Sequence, residues 1–144
     1  MERDAYDERI AAIVGDTEGR CWDETRDVFF EYLRANLSLP CEVTGYEDFG
    51  WEEFYVFGPG SKEEYERLKK TQPSYKDRYQ LLEIVHDAET VWAMFWGEDI
   101  GAKVRRICDG KEFLLGGAEI QAVDKKSRNY QLLNDYAVWF VNSR

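Results

Sequence analysis

Apolar residues at Trp22, Phe29, Leu33 and Leu37 recur at roughly helical spacing and would cover one face, which predicts a helix over residues 22–37. Residues 4–14 suit a shorter helix ahead of it. Asp23, Asp27 and Glu31 follow one another at i, i+4 and i+8, a column of like charge that opposes the helix unless Arg26 and Arg34 relieve it. The column reads as a solvated face. Further on, Ser61 and Glu64 have capping-box spacing, so a second helix is predicted from Lys62 to about Thr71, with Pro73 stopping it.

From residue 79 onward the pattern changes to short β-rich runs separated by turn signals: 79–85, 91–96, 102–107, 112–115, 119–123 and 136–141. Asp109-Gly110 is the two-residue signature of a tight hairpin. A further hairpin is predicted earlier, with arms at 41–44 and 51–57. The expected fold class is α+β, an N-terminal helix and a second short helix packed on an antiparallel, meander-like β-sheet. One domain over 1–144 is expected, mainly helical at 1–38, with a β-rich body at 39–144 that carries one inserted helix. The string Tyr-Gln-Leu-Leu occurs at both 79–82 and 130–133 and hints at a weak internal repeat.

The loop of the first hairpin, Gly45-Tyr46-Glu47-Asp48-Phe49-Gly50, is densely acidic. With Glu42, Glu52 and Glu53 it gives five carboxylates in twelve residues, and no Lys or Arg falls between Arg34 and Lys62. Such a cluster repels itself unless it is solvated or holds a cation. Residues 96–101, Trp-Gly-Glu-Asp-Ile-Gly, repeat the string Glu-Asp-apolar-Gly. In each loop the acids are expected to face water or an ion, the apolar residue to plug the core, and the glycine to permit an unusual backbone angle.

Charge sharpens this picture. The net charge of −10 is uneven: residues 1–64 hold 17 acids against six bases, and residues 65–144 hold 12 acids against 13 bases. A field of that sign disfavours nucleic acid and anionic membranes and favours cations or basic partners. The 15% aromatic content argues for a packed core. Cys21, Cys41 and Cys108 cannot all pair within the chain and match neither a zinc framework nor a redox pair. Without a signal-like N-terminus or a run long enough to span a bilayer, a cytoplasmic monomer with reduced thiols is expected.

Catalytic signals are sparse. Asp48-Phe49-Gly50 spells a kinase metal motif, but the other kinase signatures are missing, and His86 is the sole histidine. A small carboxylate-dependent hydrolase remains a minor alternative, since paired acids are its one requirement. Metal binding fits better if the metal is hard: Ca²⁺ takes six to eight oxygens in flexible geometry, which an acidic, glycine-bearing turn supplies, although no EF-hand spacing exists. Asp48 is the leading candidate ligand, with Glu47 beside it, Glu52 closing from the second arm and loop carbonyls completing the shell. Glu98 and Asp99 are candidates for a second site or the far side of a shared one. Solvated turns with no ion, or an acidic interaction module docking a basic partner, stay open on the residues alone.

The runs LPCEVTGYEDFGWEEFYVFGPG, KKTQPSYKDRYQLLE and YQLLNDYAVWFVN together resemble the CcbP-type calcium-binding proteins, a small bacterial family of acidic cytoplasmic proteins, over about residues 36–144. The resemblance implies calcium binding without EF-hands, through negatively charged surface and loop oxygens, and buffering or sequestration of the ion instead of catalysis. Of the candidate ligands it carries over only Glu47, Asp48 and Glu52.

Overall fold

The structure, a computed structural model, describes residues 4–15, 19–86 and 99–143. Along these residues the order is α1 (Ala5–Val14), α2 (Trp22–Asn36), β1 (Cys41–Gly45), a 3₁₀ turn (Gly50–Glu52) running into α3 (Glu53–Val56), α4 (Lys62–Leu68), β2 (Arg78–Val85), β3 (Gly101–Arg106), β4 (Glu112–Gly116), a second 3₁₀ turn (Gly117–Glu119), β5 (Ile120–Ala122) and α5 (Arg128–Ser143). The five strands form one antiparallel sheet in the order β4-β3-β2-β1-β5. The fold class is α+β.

Strands β2, β3 and β4 make the expected meander. Alternation places Tyr79, Leu81, Val104 and Arg106 on the covered face, while Gln80, Lys103 and Arg105 face water. A bulge between Leu81 and Glu83 shifts the phase of β2, so that Ile84 returns to the core and Glu83 stays outside beside Lys103. The wet face carries the ion pairs Arg78–Glu42, Lys103–Glu83 and Arg105–Glu112. Its charges are matched across strands, so the uncompensated acids lie elsewhere.

Helices α2 and α5 supply Phe29, Leu33, Leu133, Tyr136 and Phe140 to the same hydrophobic cluster as the strands. Trp22 stacks on Trp139 with ring centroids 5.5 Å apart, and Phe29 meets Tyr136 edge-on at 5.3 Å. Arg9 of α1 donates two hydrogen bonds, at 2.7 and 2.9 Å, to the buried Asp135 carboxylate of α5. At the start of α4 the Ser61 hydroxyl accepts from the Glu64 backbone N–H, as its spacing predicts. The acidic column of α2 is partly relieved: Arg26 and Arg34 lie 3.3 and 3.8 Å from Asp27 and Glu31, and His86, at the end of β2, bonds Asp27. Burial alone would push the Asp27 carboxyl up, but His86 and Arg26 together hold it below the ordinary range.

Several expectations are corrected. Residues 51–57 are not a strand paired with 41–44; they form the 3₁₀ turn and α3, and β1 pairs instead with β2 and β5. Residues 136–141 are not a strand but part of α5, because Leu132, Leu133, Tyr136, Ala137 and Phe140 are buried at helical spacing. The two Tyr-Gln-Leu-Leu strings are no structural repeat, since one lies in β2 and the other in α5. The turn at Asp109-Gly110 spans residues 107–111, closed by Arg106 N–H to the Lys111 carbonyl, with Gly110 at φ 77°. The predicted strand at 91–96 lies outside the described residues.

Candidate metal site

The turn after β1 is shaped by its contacts with distant segments. Gly45 N–H donates to the Tyr75 carbonyl at 3.0 Å, and a Cβ on Gly45 would stand 2.5 Å from the Tyr75 Cα, so only glycine fits there. Thr44 Oγ1 donates toward the carbonyls of Tyr75 and Asp77, and Trp51 Nε1 donates to that of Pro73. On the other side Tyr46 N–H donates to the Glu119 carbonyl at 2.8 Å. The acidic turn is therefore held between the 73–77 segment and the 3₁₀ turn that precedes β5.

Phe49 is fully buried and plugs the core, as its place in the loop predicts. Glu52 also turns inward. One carboxylate oxygen accepts from the backbone N–H groups of Phe49 (3.2 Å) and Tyr75 (2.8 Å), the other from the hydroxyls of Tyr65 (2.6 Å) and Ser74 (2.7 Å). Four donors around a fully buried carboxylate make Glu52 a clamp that joins the turn, α4 and the 73–77 segment. Burial and the bond to Glu52 raise the Tyr65 phenol well above its ordinary range. The neighbouring Glu47 is exposed and Asp48 half-buried, and neither side chain takes a hydrogen bond or ion pair from any described residue.

The second loop inverts expectation in the same way. Ile100 is buried as a plug, but Asp99 is buried too, accepting from Ile100 N–H (2.7 Å), Ala118 N–H (2.8 Å) and the Tyr136 hydroxyl (2.6 Å). Desolvation lifts its carboxyl to about 6 in spite of those three donors. Glu98 lies outside the described residues. Gly50 and Gly101 do not adopt the unusual backbone angle expected of them; positive φ occurs at Gly15, Gly19 and Gly110. The glycine that matters here is Gly117, whose N–H donates to the Ile100 carbonyl and where a Cβ would meet Ile100 Cγ1 at 2.5 Å.

Both acidic loops thus converge on one feature, the 3₁₀ turn Gly117–Glu119. Tyr46 bonds it from one side, and Asp99 and Ile100 bond it from the other. Glu47 and Asp48 lie with Glu119 around a groove of about 360 Å³ against α5. Glu119 carries no sequence signal of its own and enters only because β5 pairs with β1. Among the described residues no three His, Cys, Asp or Glu side chains form a metal-holding cluster. The available donors are the two outward carboxylates, turn carbonyls and water, all hard oxygens of the kind calcium accepts.

No family model matches the chain, and no curated protein matches it. Two solved structures do. Anabaena CcbP superposes with a TM-score of 0.57 at 19% identity, covering 96% of this chain and 92% of that one. A calcium-binding protein in its calcium-binding form superposes at 0.60 with 16% identity, covering 99% and 94%. At these identities the likeness establishes the architecture: the chain has a CcbP-like fold.

Proposed function

We propose that a chain with this CcbP-like fold binds calcium reversibly at residues 46–48, through the Glu47 and Asp48 carboxylates, turn carbonyls and water, and that it buffers or sequesters the ion in the cytoplasm without catalysing a reaction. One contrast carries the reading. Glu52 and Asp99 accept four and three hydrogen bonds from the protein, whereas Glu47 and Asp48 take none from the described residues and keep their lone pairs for an external partner. Few charged ligands on a surface turn imply modest affinity, on the order of 10⁻⁶ to 10⁻⁴ M. Glu52 is then the positioning residue, since its two backbone bonds fix the turn that presents the neighbouring pair.

Calorimetric titration of the metal-free protein tests this directly. Calcium should give saturable heat and magnesium a weaker one, because the smaller ion demands a tighter octahedron. Asp48→Asn should abolish the calcium heat, while Asp23→Asn on the exposed column of α2 leaves it intact. An Asp48→Asn isotherm equal to that of the parent protein removes the assignment.

A further inference from the structure

The groove beside the acidic turn has a second property that calcium does not use: its floor is apolar. Ala118 and Ala137 leave the hollow, Val138 lines it, and Val141 stands 59% exposed at its mouth on the outward side of α5. Tyr46 forms the opposite wall, 41% exposed, with its hydroxyl donated to Asn134 Oδ1 of α5 at 3.2 Å. Two carboxylates, Glu47 and Asp48, lie beside this floor, and among the described residues that line it there is no Lys or Arg. The volume is at the low end of the range for ligand pockets, roughly 300–1,000 Å³.

From these features we infer that the groove docks a basic amphipathic peptide segment, one large apolar side chain entering the hollow while flanking Lys or Arg residues meet the carboxylates. Charge complementarity selects this occupant. An acidic amphipathic segment would leave like charges facing Glu47 and Asp48, and a neutral apolar one would leave the acidic rim without counter-charge. The aromatic face of Tyr46 adds a surface over which an Arg or Lys can lie. The net −11 carried by residues 1–64 extends the same sign of field beyond the groove and favours encounter with a cationic segment.

This docking shares Glu47 and Asp48 with the calcium site but needs no ion, so the test is run in chelator. Fluorescence anisotropy of a fluorescein-labelled leucine–lysine amphipathic peptide, titrated with the full chain, should saturate and weaken as salt is raised. The leucine–glutamate counterpart should not bind. Val141→Lys, an exposed position whose charge would repel the lysines and crowd the mouth, should weaken binding roughly tenfold or more. Glu47→Gln with Asp48→Asn should weaken it as well and flatten its salt dependence, while circular dichroism matches the parent fold. Absence of saturation, equal binding of the two peptides or equal binding by Val141→Lys overturns the proposal. So does a dimer in sedimentation that Val141→Lys dissociates, because a second copy of the chain would then be the occupant. A parent protein that gives no calcium heat yet binds the peptide would count against the ion site and leave the groove assigned, whereas unweakened peptide binding by Glu47→Gln with Asp48→Asn overturns the groove.

Discussion

Asp99 shows how far burial can move a single carboxyl. Its three donors favour the charged form, yet removal from water outweighs them and sets its midpoint near 6, against an ordinary value of 3.8. The folded state therefore holds the proton more tightly than the unfolded chain. The stabilisation from protonated Asp99 is complete below about pH 3.8 and is lost as the pH rises through about 6, a contribution on the order of 3 kcal/mol. Carboxyl carbon NMR should find one aspartate titrating near 6, and Tyr136→Phe should raise that midpoint further, because the tyrosine hydroxyl favours the charge. A midpoint near 4 would contradict the burial described. At this scale the sequence discloses which residues are acids and which apolar residues plug the core, Phe49 and Ile100. The direction of each acid stays hidden, since all but one of the donors to each of Glu52 and Asp99 come from remote residues, 65, 74, 75, 118 and 136.

Elements were legible where the apolar period runs long. The 22–36 helix and the β2–β4 meander follow from their patterns. The two misread strands, 51–57 and 136–141, are short aromatic and β-branched windows whose local preference is overridden: the first by the inward pull on Glu52, the second by an apolar stripe that begins near Leu132 and outlasts any six-residue window. Joints between elements depend on buried charge as much as on apolar packing. Arg106, 2% exposed on β3, donates to both oxygens of Asp109, to Asp77 and to the carbonyls of Lys69, Lys70 and Gln72, and its guanidinium lies 5.1 Å from the Phe113 ring centroid. That guanidinium holds the Asp109 carboxyl down at about 2. Arg106→Met removes a charged donor from two carboxylates and three carbonyls and should cost about 3–5 kcal/mol in urea denaturation. A cost under about 1 kcal/mol would show that solvent replaces the guanidinium.

Across the whole molecule the order β4-β3-β2-β1-β5 is what the chain conceals best. The sequence suggests neighbours in turn, but β1 joins β2 after more than thirty intervening residues, and β5 then crosses to the far edge. That crossing creates the candidate site, because it delivers Glu119 and Ala118 to the acidic turn. Helix α1 depends on an equally remote partner, Asp135, which lies 126 residues beyond Arg9. Asp135→Asn weakens this buried charge pair and should speed amide hydrogen exchange in α1 by at least about tenfold, with little change in β2 and β3. Uniform acceleration across all elements would instead mean that α1 and the sheet open together.

The late arrival of β5 also bears on synthesis at the ribosome. Until residues 120–122 emerge, β1 offers a bare edge of unpaired amides and carbonyls, and the backbone bond from Tyr46 waits for residue 119. A nascent chain that has not yet released residues 119–122 presents an unfinished sheet to its neighbours, with the acidic turn not yet seated.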